Sequence, residues 1–284
     1  MNKKTKPTFI GVGGQKCATT WISECLRWHP QIFMSSPKEL HFFSGDMKKG
    51  AEWYLDFFKS SEKYTTRGEY STSYLHTTGT AKKIYDNLGS VQILIAIRNP
   101  VDRFTSHYKH LIRDGALNAP AHNTLTLKNY QDSVSKYPEL LKNGLYSEYI
   151  NHYIKQFNRK KVHIMVKEQI DENAKGVLTK LYDFLNVESN YTPPILNKKV
   201  SPGIIPKSQN METFRQKVYS VLNKALPIAI IIIRRLRLAE VYRKLNKSKD
   251  EFSIDENVTK ELISYYKEDI AKTEKILGDK LKYW

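Results

Sequence analysis

The chain has little cysteine, little acid and no long apolar run. Each scarcity excludes something. Among 284 residues there are 2 cysteines, Cys17 and Cys25. They cannot build a disulfide framework. Eight residues apart along a loop and helix, they would stand ~12 Å from one another, beyond bridging distance, so free thiols and a reducing compartment are expected. No stretch of 18 apolar residues occurs, so no transmembrane helix is expected. The first residues are basic with no apolar segment behind them, so no secretory signal is expected either. These readings together point to a cytoplasmic protein. Acidic residues number 29 against 46 Lys and Arg, a net charge of +17. That field favours anionic partners, although a general surplus of lysine produces the same total. The basic residues are scattered, with no zinc-finger spacing or RNA-binding aromatic signature, so nucleic acid is not expected as a partner.

What is present is concentrated first in residues 8–20. Phe9, Ile10 and Val12 form an apolar run that enters a loop with Gly11, Gly13 and Gly14, followed by Lys16 and the hydroxyls Thr19 and Thr20. The segment from Trp21 to Trp28 reads as a helix. A strand, a glycine-rich loop and a helix N-terminus make an anion site, because backbone N–H groups, the helix dipole and a lysine all favour negative charge. The loop fails the Walker A pattern: Lys16 occupies a glycine position, and the hydroxyl that would hold Mg²⁺ is displaced to Thr19 and Thr20.

A second segment, 91–108, adds another anion-binding candidate. Val91 to Ile97 is a near-continuous apolar run, as in a parallel strand buried on both faces. Arg98 ends it, Asn99-Pro100 starts a helix, and Ser106 lies about two turns into that helix. Arg98 and Ser106 are placed to reach a second anion at the carboxyl edge of a sheet, where open α/β folds bind ligands.

Read in order, these segments resemble the sulfotransferases that use 3′-phosphoadenosine 5′-phosphosulfate (PAPS). Gly13 to Thr20 looks like the family's 5′-phosphosulfate loop. Arg98-Asn-Pro-x-x-Arg103-x-x-Ser106 is similar to its 3′-phosphate motif. Pro37-Lys38-Glu39-Leu40-His41-Phe42-Phe43 resembles the Lys-Glu-x-His-Phe-Phe of the glycosaminoglycan-type members. Trp53-Tyr54-Leu55 with Phe57-Phe58, Gly68-Glu69-Tyr70-Ser71, Gly144-x-Tyr146 and Leu281-x-x-Trp284 fit as well.

The resemblance implies a P-loop-like α/β fold, a central parallel sheet flanked by helices with a C-terminal helical segment, in a single domain over 1–284. It implies sulfuryl transfer from PAPS to a hydroxyl or amine of a saccharide or glycan acceptor, lipid-linked sugars included, with PAP (3′,5′-adenosine bisphosphate) as product and no metal. The cofactor-binding residues it implies are Gly13, Gly14, Lys16, Cys17, Ala18, Thr19, Thr20, Trp21, Arg98 and Ser106, with Lys198 and Lys199 in a covering loop that could equally be a linker. Lys16 is placed to stabilise charge on the leaving oxygen. Cys17, beside Lys16, is a candidate for a lowered thiol pKa, though a plain loop role is the simpler reading.

Proton removal from the acceptor falls to Glu39 and His41, two residues apart. An extended segment would point both to one side, and a carboxylate with an imidazole makes a general-base pair. By resemblance Glu39 is the base, and His41 is an orienting or substrate-contact residue. Glycan-type members often carry lysine where this chain has Tyr70, after Glu69, which weakens the case for a heparin-like acceptor. Glu69 itself either contacts the acceptor or structures the site. The alternative activity is a P-loop kinase of a small metabolite using ATP and Mg²⁺.

Periodicity predicts strands at 8–13, 32–35, 67–70, 91–97 and 162–166, and helices at 19–28, 50–58, 79–88, 100–112, 145–158, 174–186 and 255–277, with a polar loop over 114–126. Segment 211–250 reads as a helical appendage or insertion. Its apolar stretch and arginines, 225–237, suit a helix packed on the domain or a dimer contact. Docking at a membrane interface is the other reading.

Overall fold

The computed structural model describes residues 6–198, 207, 211, 212, 215, 218, 221, 242, 246 and 251–284. The chain divides into two compact units, Met1–Arg103 with Asn143–Ser201 and Tyr266–Trp284, and Phe104–Lys142 with Pro202–Tyr265.

The first unit is built on a five-stranded, wholly parallel sheet: β1 (Phe9–Gly13), β2 (Ile32–Met34), β3 (Thr66–Tyr70), β4 (Gln92–Ile97) and β6 (Val162–Val166). In space the order is β2-β3-β1-β4-β6. From β1 the chain moves to one edge, and from β4 to the other, so the carboxyl ends of β1 and β4 flank the point where the winding reverses. Open α/β sheets bind ligands there. β1 and β4 are apolar almost throughout because both faces are covered: every residue of β1 and Ile93–Ile97 of β4 are buried.

Helices α1 (Thr19–Trp28), α7 (Tyr146–Phe157) and α8 (Lys167–Leu185) pack on the sheet, and α3 (Thr80–Leu88) packs on α7. Short 3₁₀ turns at Phe42–Ser44 and Met47–Lys49 lead into α2 (Ala51–Asp56), shorter than the expected 50–58. α4 (Pro100–Arg113) begins where expected: the Asn99 side-chain oxygen accepts from the amides of Val101 (2.9 Å) and Asp102 (3.3 Å).

Helix α8 starts earlier than predicted. It runs from Lys167, but Asn173 is non-helical (φ −146°, ψ 71°) and its side-chain oxygen accepts from Gly176 N at 2.9 Å. The expected 174–186 helix is thus the second of two stretches, with Asn173 as its N-cap.

The second unit carries α5 (Leu127–Lys136), α6 (Glu139–Lys142) and a two-stranded parallel sheet of β5 (Thr124–Leu125) with β7 (Ser253–Ile254). Its core gathers aromatic rings, Phe104 against Tyr130 at 5.7 Å and Tyr108 against Phe252 at 5.7 Å. The final helix, α9, spans Glu256–Leu277 and crosses from one unit into the other. The stretch 225–237, read as a packing helix or membrane contact, lies outside the described residues. Among those described, no helix is long and apolar enough to cross a membrane.

Candidate active site

Both anion-binding candidates leave the sheet at its reversal point. The loop after β1 docks on β4 through Gly14 N, which donates to the Ala96 carbonyl at 2.5 Å. Arg98 follows two residues later on β4's own exit. The sequence therefore brings Lys16 and Arg98 to one sheet edge, from neighbouring parallel strands.

The loop is bent by backbone in left-handed conformations at Lys16 (φ 69°) and Ala18 (φ 64°). Ala18 stands at the N-cap of α1 and has no side-chain acceptor, so no side chain caps the helix. Intrahelical bonding begins with Ile22 N to Ala18 O, which leaves the amides of Thr19, Thr20 and Trp21 in the first turn for an outside acceptor. No acidic residue lies in that turn. Each feature suits an anion. Lys16 and Thr20 are half-buried and Thr19 is buried.

The glycines owe their presence to packing as much as to ligand approach. A Cβ on Gly11 would lie 2.2 Å from the Tyr70 ring, and one on Gly13 2.7 Å from Leu75 Cβ. Tyr70 is fully buried, and its phenol donates to Gly13 O at 2.9 Å. Tyr70 is thus a wedge beneath the loop.

Cys17 is not an activated thiol. Burial pushes its pKa up to about 11, against the opposing pull of Tyr146, Arg103 and Arg98. Its Sγ stands 3.7 Å from Tyr146 Oη. Trp21, also buried, donates through Nε1 to Leu196 O at 3.3 Å and so ties the 191–198 loop to α1. Lys198 is exposed at the end of that loop, and Lys199 lies outside the described residues.

Arg98 has a half-satisfied fork. Its side chain is 20% exposed, and Nη2 pairs with Asp102 Oδ2 at 3.3 Å. Among the described residues its Nε is buried without a hydrogen-bond partner, a donor an anion could use. The corner around it is braced. Tyr146 Oη donates to Arg98 O at 2.9 Å, Asn99 N donates to Glu168 Oε1 at 3.0 Å, and Asn99 Nδ2 donates to Tyr283 O at 3.1 Å. Trp284 Nε1 donates to Glu168 Oε2 at 3.1 Å, and its ring lies 5.7 Å from that of Tyr146. Ser106 belongs to the second unit, on the part of α4 that continues past Arg103.

Glu39 and His41 do meet, but not as neighbours on an extended segment. Both have left-handed backbone (φ 65° and 54°), which coils the chain so that His41 Nε2 comes within 3.5 Å of Glu39 Oε2. Glu39 also accepts from Lys38 Nζ at 2.6 Å and from Thr72 Oγ1 at 2.8 Å. Burial pushes the Glu39 carboxyl up, but Lys38, Thr72 and His41 outweigh it and hold the group below the usual carboxylate range. His41 Nδ1 lies 2.8 Å from Ser73 Oγ. The arrangement is an ionised carboxylate beside a half-exposed imidazole. Glu69, read from sequence as an acceptor contact or a structural group, is 0% exposed and cannot touch an acceptor.

Comparison with known proteins identifies the family. The family model "Sulfotransferase domain" matches residues 6–273. A bifunctional heparan sulfate N-deacetylase/N-sulfotransferase 4 of Mus musculus is 28% identical over 198 residues, covering 65% of this chain and 23% of that protein. The heparan sulfate glucosamine 3-O-sulfotransferase 6 of Homo sapiens is 23% identical over 243 residues, 85% of this chain and 70% of the other. The chain spans about a quarter or less of the length of several curated relatives it matches (23%, 23% and 20%). In fold it is similar to a sulfotransferase from Alicyclobacillus acidocaldarius, with a TM-score of 0.69, 23% identity and 98% of each chain covered. With the family match running through the anion loop, the Glu39–His41 segment and the Arg98 corner, the chain belongs to the sulfotransferase-domain family.

Proposed function

We propose that this sulfotransferase-domain chain transfers a sulfuryl group from PAPS to a hydroxyl or amine of a saccharide. The observation that carries the reading is the shared sheet edge: Lys16 and the open first turn of α1 on one side, the unpartnered Nε of Arg98 on the other. PAPS has two separate anionic ends, and a cleft with two cationic corners suits it better than a single phosphate loop would. When bound, PAPS supplies the sulfuryl group.

The residues divide the remaining work. Lys16 and the amides of Thr19 to Trp21 hold the 5′ end and stabilise negative charge on the leaving oxygen. Arg98 holds the 3′-phosphate, and Lys198 ends the loop assigned to covering the cofactor. Glu39, kept ionised by Lys38 and Thr72, accepts the proton from the acceptor, while His41 orients it. A saccharide is favoured as acceptor because the relatives named above are heparan sulfate enzymes.

Thermal shift tests the reading: PAP should stabilise the protein selectively over ATP with Mg²⁺. Selectivity for ATP with Mg²⁺ would instead support a P-loop kinase. Labelled PAPS offered with desulfated heparin and a panel of other glycans then identifies the acceptor.

A further inference from the structure

The segment that carries Glu39 and His41 has no regular secondary structure and adopts left-handed backbone at both residues. Something outside it must fix its shape. That support comes from the end of β3, residue by residue. Glu39 N donates to Tyr70 O at 3.1 Å, and the Leu40 amide donates to the Glu69 carboxylate. His41 N donates to Ser71 Oγ at 3.1 Å, and Ser71 Oγ in turn donates to Glu69 Oε2 at 2.6 Å. Glu69 is therefore joined to the backbone of both Leu40 and His41.

The far side of the carboxylate is equally committed. Oε1 accepts from Tyr74 Oη at 2.7 Å and Tyr54 Oη at 3.2 Å. Above it aromatic rings close an apolar box. Tyr54 stacks on Phe42 at 4.6 Å and meets Phe43 at 5.1 Å, and Phe43 meets Tyr74 at 5.6 Å. Phe42 and Phe43 directly follow His41, so the box grips the same segment from its other end.

From this geometry we infer that Glu69 is a positioning residue for the reaction: its carboxylate, through Leu40 and Ser71, sets the backbone that brings Glu39 and His41 together. The inference rests on the general-base reading of those two residues. Chemistry explains why a carboxylate is needed. Four donors converge on it (Leu40 N, Ser71 Oγ, Tyr54 Oη and Tyr74 Oη), and only an ionised carboxylate can accept all four. A protonated acid places its own O–H among donors, and a glutamine side chain places an NH₂ there. The titratable groups facing Glu69 are Tyr54 from α2 and Tyr74 from the turn after β3; Lys38, Glu39 and His41 lie on the segment it holds. Burial pushes the Glu69 carboxyl up to about 7, with Ser71, Tyr74, Tyr54 and Leu40 opposing the rise. Around neutral pH the support is therefore partly protonated, and acidification weakens it.

The variant Glu69→Gln tests this. Hydrogen exchange should rise in residues 39–44 and stay unchanged in 8–20. With desulfated heparin, or whichever glycan the screen identifies, kcat should fall about 10-fold or more, while PAP affinity stays within about twofold. The decline of wild-type kcat on the acid side of pH 7 should vanish in the variant. Should Glu69→Gln fail to fold, Ser71→Ala removes the hydroxyl that bridges His41 N–H to Glu69 and leaves the carboxylate with its other donors; it should give the same split between kcat and PAP binding. Unchanged exchange in 39–44, unchanged kcat, or an equal loss of PAP affinity would overturn the inference. The exchange measurement decides it even if the wild-type protein proves not to bind PAP, an outcome that would sink the PAPS reading separately.

Discussion

Tyr146 reaches both anion-binding corners at once: its phenol donates to the Arg98 carbonyl at 2.9 Å and stands 3.7 Å from the Cys17 thiol in the loop beside Lys16. The residue is itself anchored, since its amide donates to Asp269 Oδ2 at 2.6 Å. It acts as a strut between the exits of β1 and β4.

Removing the strut's hydroxyl should loosen both corners. Tyr146→Phe keeps the ring but leaves the Arg98 carbonyl without that donor, and a lost buried hydrogen bond typically costs about 1 kcal/mol. Titration with PAP should show affinity weakened several-fold, with a small drop in melting temperature. Unchanged PAP affinity would show that the two corners hold their places without Tyr146.

Much of this site was legible in the sequence, and the reasons differ by segment. β1 and β4 announce themselves because strands buried on both faces need unbroken apolar runs, and Arg98 and Lys16 stand out as the first charges after them. Asn99-Pro100 is a helix start by side-chain chemistry alone. The Glu39–His41 contact was expected for the wrong backbone: left-handed residues other than glycine leave no periodic signal, so an extended segment was the natural reading. The burial of Glu69 and the wedge role of Tyr70 depend on which residues fold over them, which local pattern cannot show. α5 was missed although Thr126 caps it, accepting from Asn129 N at 3.4 Å, because Leu127, Tyr130 and Val134, although at helical spacing, are the only apolar residues in an otherwise polar stretch.

Gly11 tests the packing account of the loop. With a Cβ only 2.2 Å from the Tyr70 ring, Gly11→Ala should destabilise the protein by roughly 1–3 kcal/mol, the usual cost of overpacking a core. Urea denaturation measures this. A neutral result would mean that the Tyr70 ring can move aside.

Glu39 tests the proton-transfer assignment. Glu39→Gln should reduce turnover by roughly 10²-fold or more and leave PAP binding intact. Because Glu39 is held below the usual carboxylate range, its own protonation should not limit activity near neutral pH. Near-normal turnover in the variant would transfer the role of base to another group, His41 first.

Stability should fall in acid. His76 donates through Nε2 to Asn143 O at 3.1 Å, and burial lowers its pKa from 6.5 to about 3; burial likewise lowers His163 to about 4. Both stay neutral in the fold while the unfolded chain takes up protons below 6.5. The unfolded state then binds more protons, so stability is present above that pH and lost as pH falls toward 3 to 4. Glu69 acts in the opposite sense, costing stability as pH rises from 4.5 to about 7. Denaturant midpoints across this range should therefore show a shallower acid slope in His76→Gln than in the wild-type protein. An identical slope would show that His76 already titrates normally in the fold.

The measurement that bears most directly on the central claim is calorimetric titration of PAP into the wild-type protein, Lys16→Ala and Arg98→Ala. If one cleft grips a doubly anionic nucleotide at two corners, the wild type binds PAP, and each variant loses at least about tenfold in affinity, the scale of a charge-assisted hydrogen bond. Full PAP affinity in either variant, or no PAP binding by the wild-type protein, would contradict it.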